Sequence, residues 1–324
     1  MPESVRSVIG SRLARLGGET VRILEAAAVL GDGCTVDLLG KASGLAVEPL
    51  LEALDEALRA GLLRESADGY AFSHDLVRQA LYAELPLHRR QRLHLSAAEA
   101  IELTPGLSAE QWAAALAGHY RLAGSAADPV KALDATRRAG EAAEAVFAWE
   151  DVAAHRHAAL ELWERQGLTD ATEQCELVLS LAEVHRWTGD LDASREGYRR
   201  AAELARRSRK PRQLARAALG YGEFPYLFGD EVGARQADLL EEALATLPEE
   251  EQALRARGMG LLAEVLAWDG SQHPSKWDRV AGLSQTAVAL ARGTGDPATI
   301  AFALNERQHA LWGPGDDEER LALA

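Results

Sequence analysis

Apolar residues recur at helical spacing along nearly the whole chain. Val5, Val8, Ile9, Leu13 and Leu16 share one helix face, which Gly17-Gly18 ends. Val21 to Leu30 is a second, almost wholly apolar helix, stopped at "GDG" (31–33). "TVDLLGKASG" (35–44) reads as a short helix closing at Gly44. "AVEPLLEALDEALRAG" (46–61) reads as a longer one, with Pro49 in its first turn and Gly61 as a C-terminal stop. Alternation takes over in "LLRESADGYAFS", where Asp68-Gly69 suits a tight turn with positive φ, so a β-hairpin is expected. Helix, short helix, longer helix, hairpin is the order of a winged helix-turn-helix. An apolar-periodic helix starts directly after "SHD" (73–75), with Ser73 as the expected N-cap.

From residue 105 onward the pattern is helices separated by Gly/Asp/Pro turns. "SAEQ" (108–111) reads as a capping box, and "DPVKAL" (128–133) and "DPATIA" (296–301) each place Asp at an N-cap and Pro at the first helical position. An aromatic near a helix end precedes a turn, mostly acidic and glycine-containing, at Trp149, Trp187, Phe228, Trp268 and Trp312. The spacings are 38, 41, 40 and 44 residues, a period that implies stacked helical hairpins. The expected fold is therefore mainly α. Residues 1–104 form a winged-helix domain with a small β-hairpin and a following linker helix. Residues 105–324 form an α/α superhelical solenoid, which breaks off at "EERLALA" (318–324) as a truncated array would.

Composition narrows the function classes. The net charge is −15, with 11 basic and 15 acidic residues before Thr104 and 24 and 35 after it. Neither part offers the positive field that phosphate backbones require, so no nucleic acid and no anionic membrane is expected as a partner. The third helix of the winged-helix module carries Glu48, Glu52, Asp55 and Glu56 against Arg59, the wrong charge for reading DNA. Two distant cysteines, Cys34 and Cys175, make no disulfide framework, and no signal peptide or membrane-length apolar run is present. A cytoplasmic protein is expected.

Several blocks carry a family resemblance. "PESVRSVIGSRLARL", "LLEALDEALRAGLLRE" and "YAFSHDLVRQALYAELPLHRRQRLH" resemble the segment that follows the nucleotide-binding domain in STAND-class signalling ATPases, especially large LuxR-type transcriptional regulators and related multidomain cyclase proteins. "LVLSLAEVHRWTGDLDASREGYRRAAELA" (177–205) resembles a tetratricopeptide repeat. Leu181-Ala182 stands for that motif's Leu-Gly pair, Ser194 and Ala201 are its small contacts and Tyr198 its aromatic. The resemblance implies a regulatory fragment that lacks its ATPase core. It implies ATP/ADP as the parent protein's nucleotide, an upstream nucleotide-binding domain as partner, and an inducer or protein on the solenoid. It also makes His74 a sensor of the ADP β-phosphate. On residues alone, Ser-His-Asp reads as a helix cap; with the resemblance, both readings stand. The alternative function is a stand-alone helical scaffold that binds proteins without nucleotide linkage.

Catalytic signatures do not emerge. No Walker GxxxxGK[ST], HExxH or GxSxG occurs, and no cofactor or metal is expected in this chain. "GMGLLA" (258–263) follows no strand, so its glycines are read as close-packing positions. His155-Arg156-His157 reads as a solvated group, "LHRRQRLH" (87–94) as a solvated helix end, and "RRSRKPR" (206–212) as an exposed loop. Trp149, Trp187, Phe228, Trp268 and Trp312, with Tyr221, Phe224 and Tyr226, have two readings: gap-filling between repeats, or the lining of a groove for a ligand or partner.

Overall fold

A computed structural model of the chain describes residues 10–67, 69–104, 109–222, 229–268, 274–311 and 320–321. These divide into two compact units, Met1–Gln166 and Gly167–Ala324. The fold class is the one expected: mainly α, with a two-stranded hairpin near the N-terminus followed by consecutive packed helix pairs.

The first unit opens with α1 (Gly18–Leu30), α2 (Val36–Ser43) and α3 (Val47–Arg59), then β1 (Leu63–Ser66) and β2 (Gly69–Phe72). Thr35 caps α2 by accepting from the Leu38 N–H at 3.3 Å, and Gly44 ends it in the left-handed region at φ 68. Leu63 pairs with Phe72 and Ser66 with Gly69, while Cys34 bridges Tyr70 on the outer edge. The apolar faces of these elements close one core around Ile23, Leu24, Leu39, Leu54, Leu62 and Phe72. Of the expected first helix, residues 10–16 lie in the described part and 10–13 are helical; Leu13 and Leu16 pack on that same core. Asp68 lies outside the described residues.

The unit continues with α4 (Asp75–Glu84), α5 (Leu87–Glu102), α6 (Ala109–Ala123), α7 (Pro129–Ala145) and α8 (Trp149–Arg165). α5 packs on α6, α6 on α7 and α7 on α8, and α5 also packs on α1 and α2. The expected domain boundary after residue 104 thus falls inside this compact unit.

The second unit contains α9 (Ala171–Trp187), α10 (Leu191–Ser208), α11 (Pro211–Gly220), α12 (Gly229–Thr246), α13 (Gln252–Ala267), α14 (Pro274–Thr294) and α15 (Pro297–Ala310). Besides packing on its sequence neighbour, each odd-numbered helix packs on the next odd one: α9 on α11, α11 on α13, α13 on α15. The even-numbered helices are instead tied by exposed ion pairs, Arg206–Glu242 between α10 and α12 and Arg279–Glu241 between α12 and α14. Alternate helices thus pack on one another in the layer of α9, α11, α13 and α15. These four are its inner helices.

Small residues make the close contacts. Gly197 of α10 lies against Ala182 of α9, where an added Cβ would come within 2.7 Å of the alanine methyl. Ser194 donates to the Ala182 carbonyl at 2.9 Å, and the Cys175 thiol to the Ala201 carbonyl at 3.3 Å. The glycines of "GMGLLA" act the same way within α13: Gly258 abuts Leu244 of α12, and Gly260 abuts Glu306 of α15.

Three local expectations need correction. Trp149 does not end a helix; it begins α8. The turn comes before it at Phe147, which takes φ 58, and Glu150 and Asp151 lie in the first helical turn, where the helix dipole favours acids. "RRSRKPR" is not a loop. Arg206 and Arg207 lie in the last turn of α10, Arg209 reverses the chain at φ 52, and Pro211 starts α11. Ser73 is not the N-cap of α4: His74 occupies that position, and the Ser73 N–H pairs with the Leu62 carbonyl at 3.0 Å.

Candidate functional site

The inner helices of the second unit do not close on one another completely. They leave a cavity of about 180 Å³, lined by Leu179, Glu183 and Arg186 of α9, Tyr198 of α10, Arg216 and Leu219 of α11, Leu254 and Arg257 of α13, and Phe302 of α15. Its wall is chemically divided. Leu179, Leu219, Leu254 and Phe302 supply apolar surface, and three guanidiniums face one carboxylate. The floor is fixed by Gly220, whose backbone lies directly against the buried Tyr198 ring; a Cβ there would fall 2.1 Å from the ring.

The arginines are held differently. Arg216 pairs with Glu176 at 2.5 Å, and the buried Gln213 also donates to that carboxylate, at 2.8 Å. Arg186 lies over the Trp187 ring, 5.1 Å from its centroid. Arg257 lies over the Phe302 ring at 4.7 Å and makes no ion pair with any described residue. Sequence reasoning missed this set, because the three arginines sit in separate repeats and none forms a local motif. The available signal was an arginine on each of three successive inner helices.

His74 is exposed, its side chain making no cap hydrogen bond. Asp75 accepts from Arg78 at 2.7 Å and from Gln79 at 2.5 Å; the Arg78 bond, first among its partners, holds the carboxyl below the ordinary carboxylate range. The aromatic ladder is brought together only in part. Trp187 ends α9 and Trp268 caps α13, 58% and 38% exposed, at the same end of two inner helices. Tyr221 caps α11 and is buried. Trp149 lies in the first unit, half-buried beside Phe147. Phe224, Tyr226, Phe228 and Trp312 lie outside the described residues. Trp277 of α14, not among the expected set, is 42% exposed.

Two buried polar clusters complete the inventory. In the first unit, His94 is hydrogen-bonded to Tyr82 and, Nδ1 to Nδ1, to His119, each at 2.9 Å. Burial pushes both imidazoles down to about 4, and the neighbouring His119, Arg90 and Arg121 push His94 in the same direction. The basic run 87–94 is thus only partly a solvated helix end: Arg89 pairs with Glu25, Arg90 lies over Tyr82, and His94 is core. In the second unit, Glu306 is hydrogen-bonded to Glu264, which His309 meets at 3.1 Å. Burial first, then the adjacent carboxyl, push Glu306 up to about 9. No group of three metal-ligating side chains exists among the described residues.

The second unit is thus a run of packed helix pairs with a lined cavity, and the first opens with three helices and a two-stranded hairpin. Exposed on α3 are Glu48, Glu52 and Asp55 beside Val47 and Leu51, an acidic and apolar face opposite in charge to a DNA reader. Among the described residues no helix is long and apolar enough to cross a membrane.

No family model matches the chain, and no curated protein matches it. Solved structures do. One is a signal transduction ATPase with numerous domains (STAND) from Pyrococcus horikoshii that carries a tetratricopeptide repeat sensor, similar at 14% identity and a TM-score of 0.37 over 91% of this chain. This chain spans about half of that one (47%).

Proposed function

We propose that the chain is the regulatory and sensing portion of a STAND-class, LuxR-like ATP-dependent transcriptional regulator. In this reading the winged helix couples to a nucleotide-binding domain, and the helical repeats receive an inducer or a protein partner. The chain binds and relays, and breaks no bond itself. The receiving role rests on one observation: the inner helices α9, α11, α13 and α15 leave a lined cavity where packed repeats would otherwise meet. The coupling role rests on the "SHDLVR" resemblance and on the exposed His74 side chain beside the start of α4, available to donate to a phosphate.

A thermal-shift screen of the chain against metabolites and peptides, followed by hydrogen exchange, tests the receiving role. A stabilising ligand is expected to protect amides of the inner helices. The reading falls if nothing in the screen stabilises the chain, or if every stabilising ligand protects other elements only. In the ATPase-bearing protein, His74→Ala is expected to speed ADP release roughly tenfold, the loss of one charge-assisted hydrogen bond. An unchanged release rate removes His74 from the coupling.

A further inference from the structure

The cavity's chemistry says what it takes. We infer that it is a site for a small organic anion: one carboxylate or phosphate group carried on a flat apolar body. This rests on the receiving role proposed above and deepens it.

Charge is the first argument. Arg186, Arg216 and Arg257 converge from three helices on one cavity, and like charges held this close repel. Two carboxylates offset them, Glu183 on the wall and Glu176 behind Arg216. Asp296 at the N-cap of α15 acts on Arg257 without forming an ion pair with it, so Arg257 is the guanidinium that a single anionic group on a ligand would pair. Arg257 is the natural acceptor of that group. Glu176 already answers Arg216, whereas Arg257 makes no ion pair with any described residue. The Phe302 ring, 4.7 Å from the guanidinium carbon, holds this group at the cavity, and a guanidinium suits a forked contact with carboxylate or phosphate oxygens.

The second argument is the apolar half. Phe302, Leu179, Leu219 and Leu254 form a wall with no hydrogen-bonding side chain, so a ligand gains there only by offering apolar surface. Size is the third. The cavity of about 180 Å³ compares with the ~150 Å³ apolar cavity that holds one benzene. A single ring with one acidic group fits; a folded peptide segment does not. Gly220 and the Tyr198 ring both form part of the wall, and the missing Cβ lets them lie in contact.

Calorimetric titration of the whole chain with benzoate, phenyl phosphate, benzamide, inorganic phosphate and an acidic peptide tests this. Benzoate or phenyl phosphate is expected to bind saturably, and which one does identifies the acid. Benzamide, of the same shape without the charge, is expected to bind at least tenfold more weakly. Arg257→Gln and Phe302→Leu are each expected to weaken the anion roughly tenfold, while Arg212→Gln, outside the cavity, leaves it unchanged. Unchanged circular dichroism and melting temperature show that each variant folds. Equal binding of benzamide, equal binding of inorganic phosphate and phenyl phosphate, or Arg257-dependent binding of the peptide alone each overturns the proposal. Should a ligand from the general screen protect the inner helices without any dependence on Arg257, the receiving role stands and the anion site falls. If no compound binds in either experiment, both fall.

Discussion

Gly220 and Tyr198 show how much one missing methyl decides. A Cβ at Gly220 would lie 2.1 Å from ring carbon Cζ and 2.6 Å from the hydroxyl, so the ring or the helix must move. Gly220→Ala is therefore expected to cost about 1–3 kcal/mol in urea unfolding, the range of core overpacking. It is also expected to weaken ligand-induced thermal shifts, because the ring that must yield lines the cavity. Tyr198→Phe in the same background leaves the clash in place, so a rescued stability there would contradict the steric account. The two thiols allow a second residue-level check. Burial pushes Cys34 and Cys175 up to about 11, and each donates to a carbonyl, of Tyr70 and Ala201 respectively. At pH 8 neither presents thiolate. Iodoacetamide is expected to label the chain only at its unfolding rate, and fast labelling of native protein would show one thiol to be reachable.

At the scale of elements, the pair α9/α10 depends on Ala182, Ser194 and Gly197 letting two backbones approach. Gly197→Val is expected to lower stability by about 1–3 kcal/mol and to speed hydrogen exchange in both helices together, measured by mass spectrometry; an effect confined to α10 would mean that the pair is not a unit. The winged-helix order and the hairpin were legible in the sequence from apolar period and glycine placement; Ala182 and Ser194 as contacts followed only from the resemblance to a tetratricopeptide repeat, and Gly197 was not foreseen. The turns that were misplaced share a physical reason. Phe147 and Arg209 reverse the chain at φ 58 and 52 without glycine, so nothing in the residue type marked them. Ser73 was misread because the hairpin retains it through Leu62, a tertiary claim on a residue whose local preference is to cap. Arg186, Arg216 and Arg257 were illegible for another cause: helical period shows which face of a helix is apolar, but not which faces of three separate helices end at one cavity.

For the whole molecule, the two buried polar clusters give the two units opposite responses to pH. His94 and His119 titrate near 4 in the folded chain and near 6.5 unfolded, so between those values the unfolded state binds more protons. Their contribution is complete above about 6.5 and is lost as pH falls toward 4, by up to about 1.4 kcal/mol per pH unit for each ring. Glu306 has the reverse sign. Its folded value of about 9 lies above the unfolded 4.5, so the folded state holds the extra proton. That contribution is complete below about 4.5 and is lost as pH rises toward 9. Glu264 beside it repels a second charge, which outweighs the Asn305 hydrogen bond and the nearby His309 that act the other way, and Arg307 donates to Ser284 at 2.9 Å. Region-resolved hydrogen exchange, corrected for intrinsic rates, is expected to show α4, α5 and α6 losing protection from pH 7 to 5 while α13 and α15 hold. From pH 7 to 9 the order is expected to invert. Glu306→Gln keeps the neutral shape and is expected to flatten the alkaline limb while leaving the acid limb untouched. His119→Leu removes one titrating ring and is expected to reduce the acid slope. Parallel loss in both units at either extreme would mean that net charge, and not these two clusters, governs how the chain responds to pH.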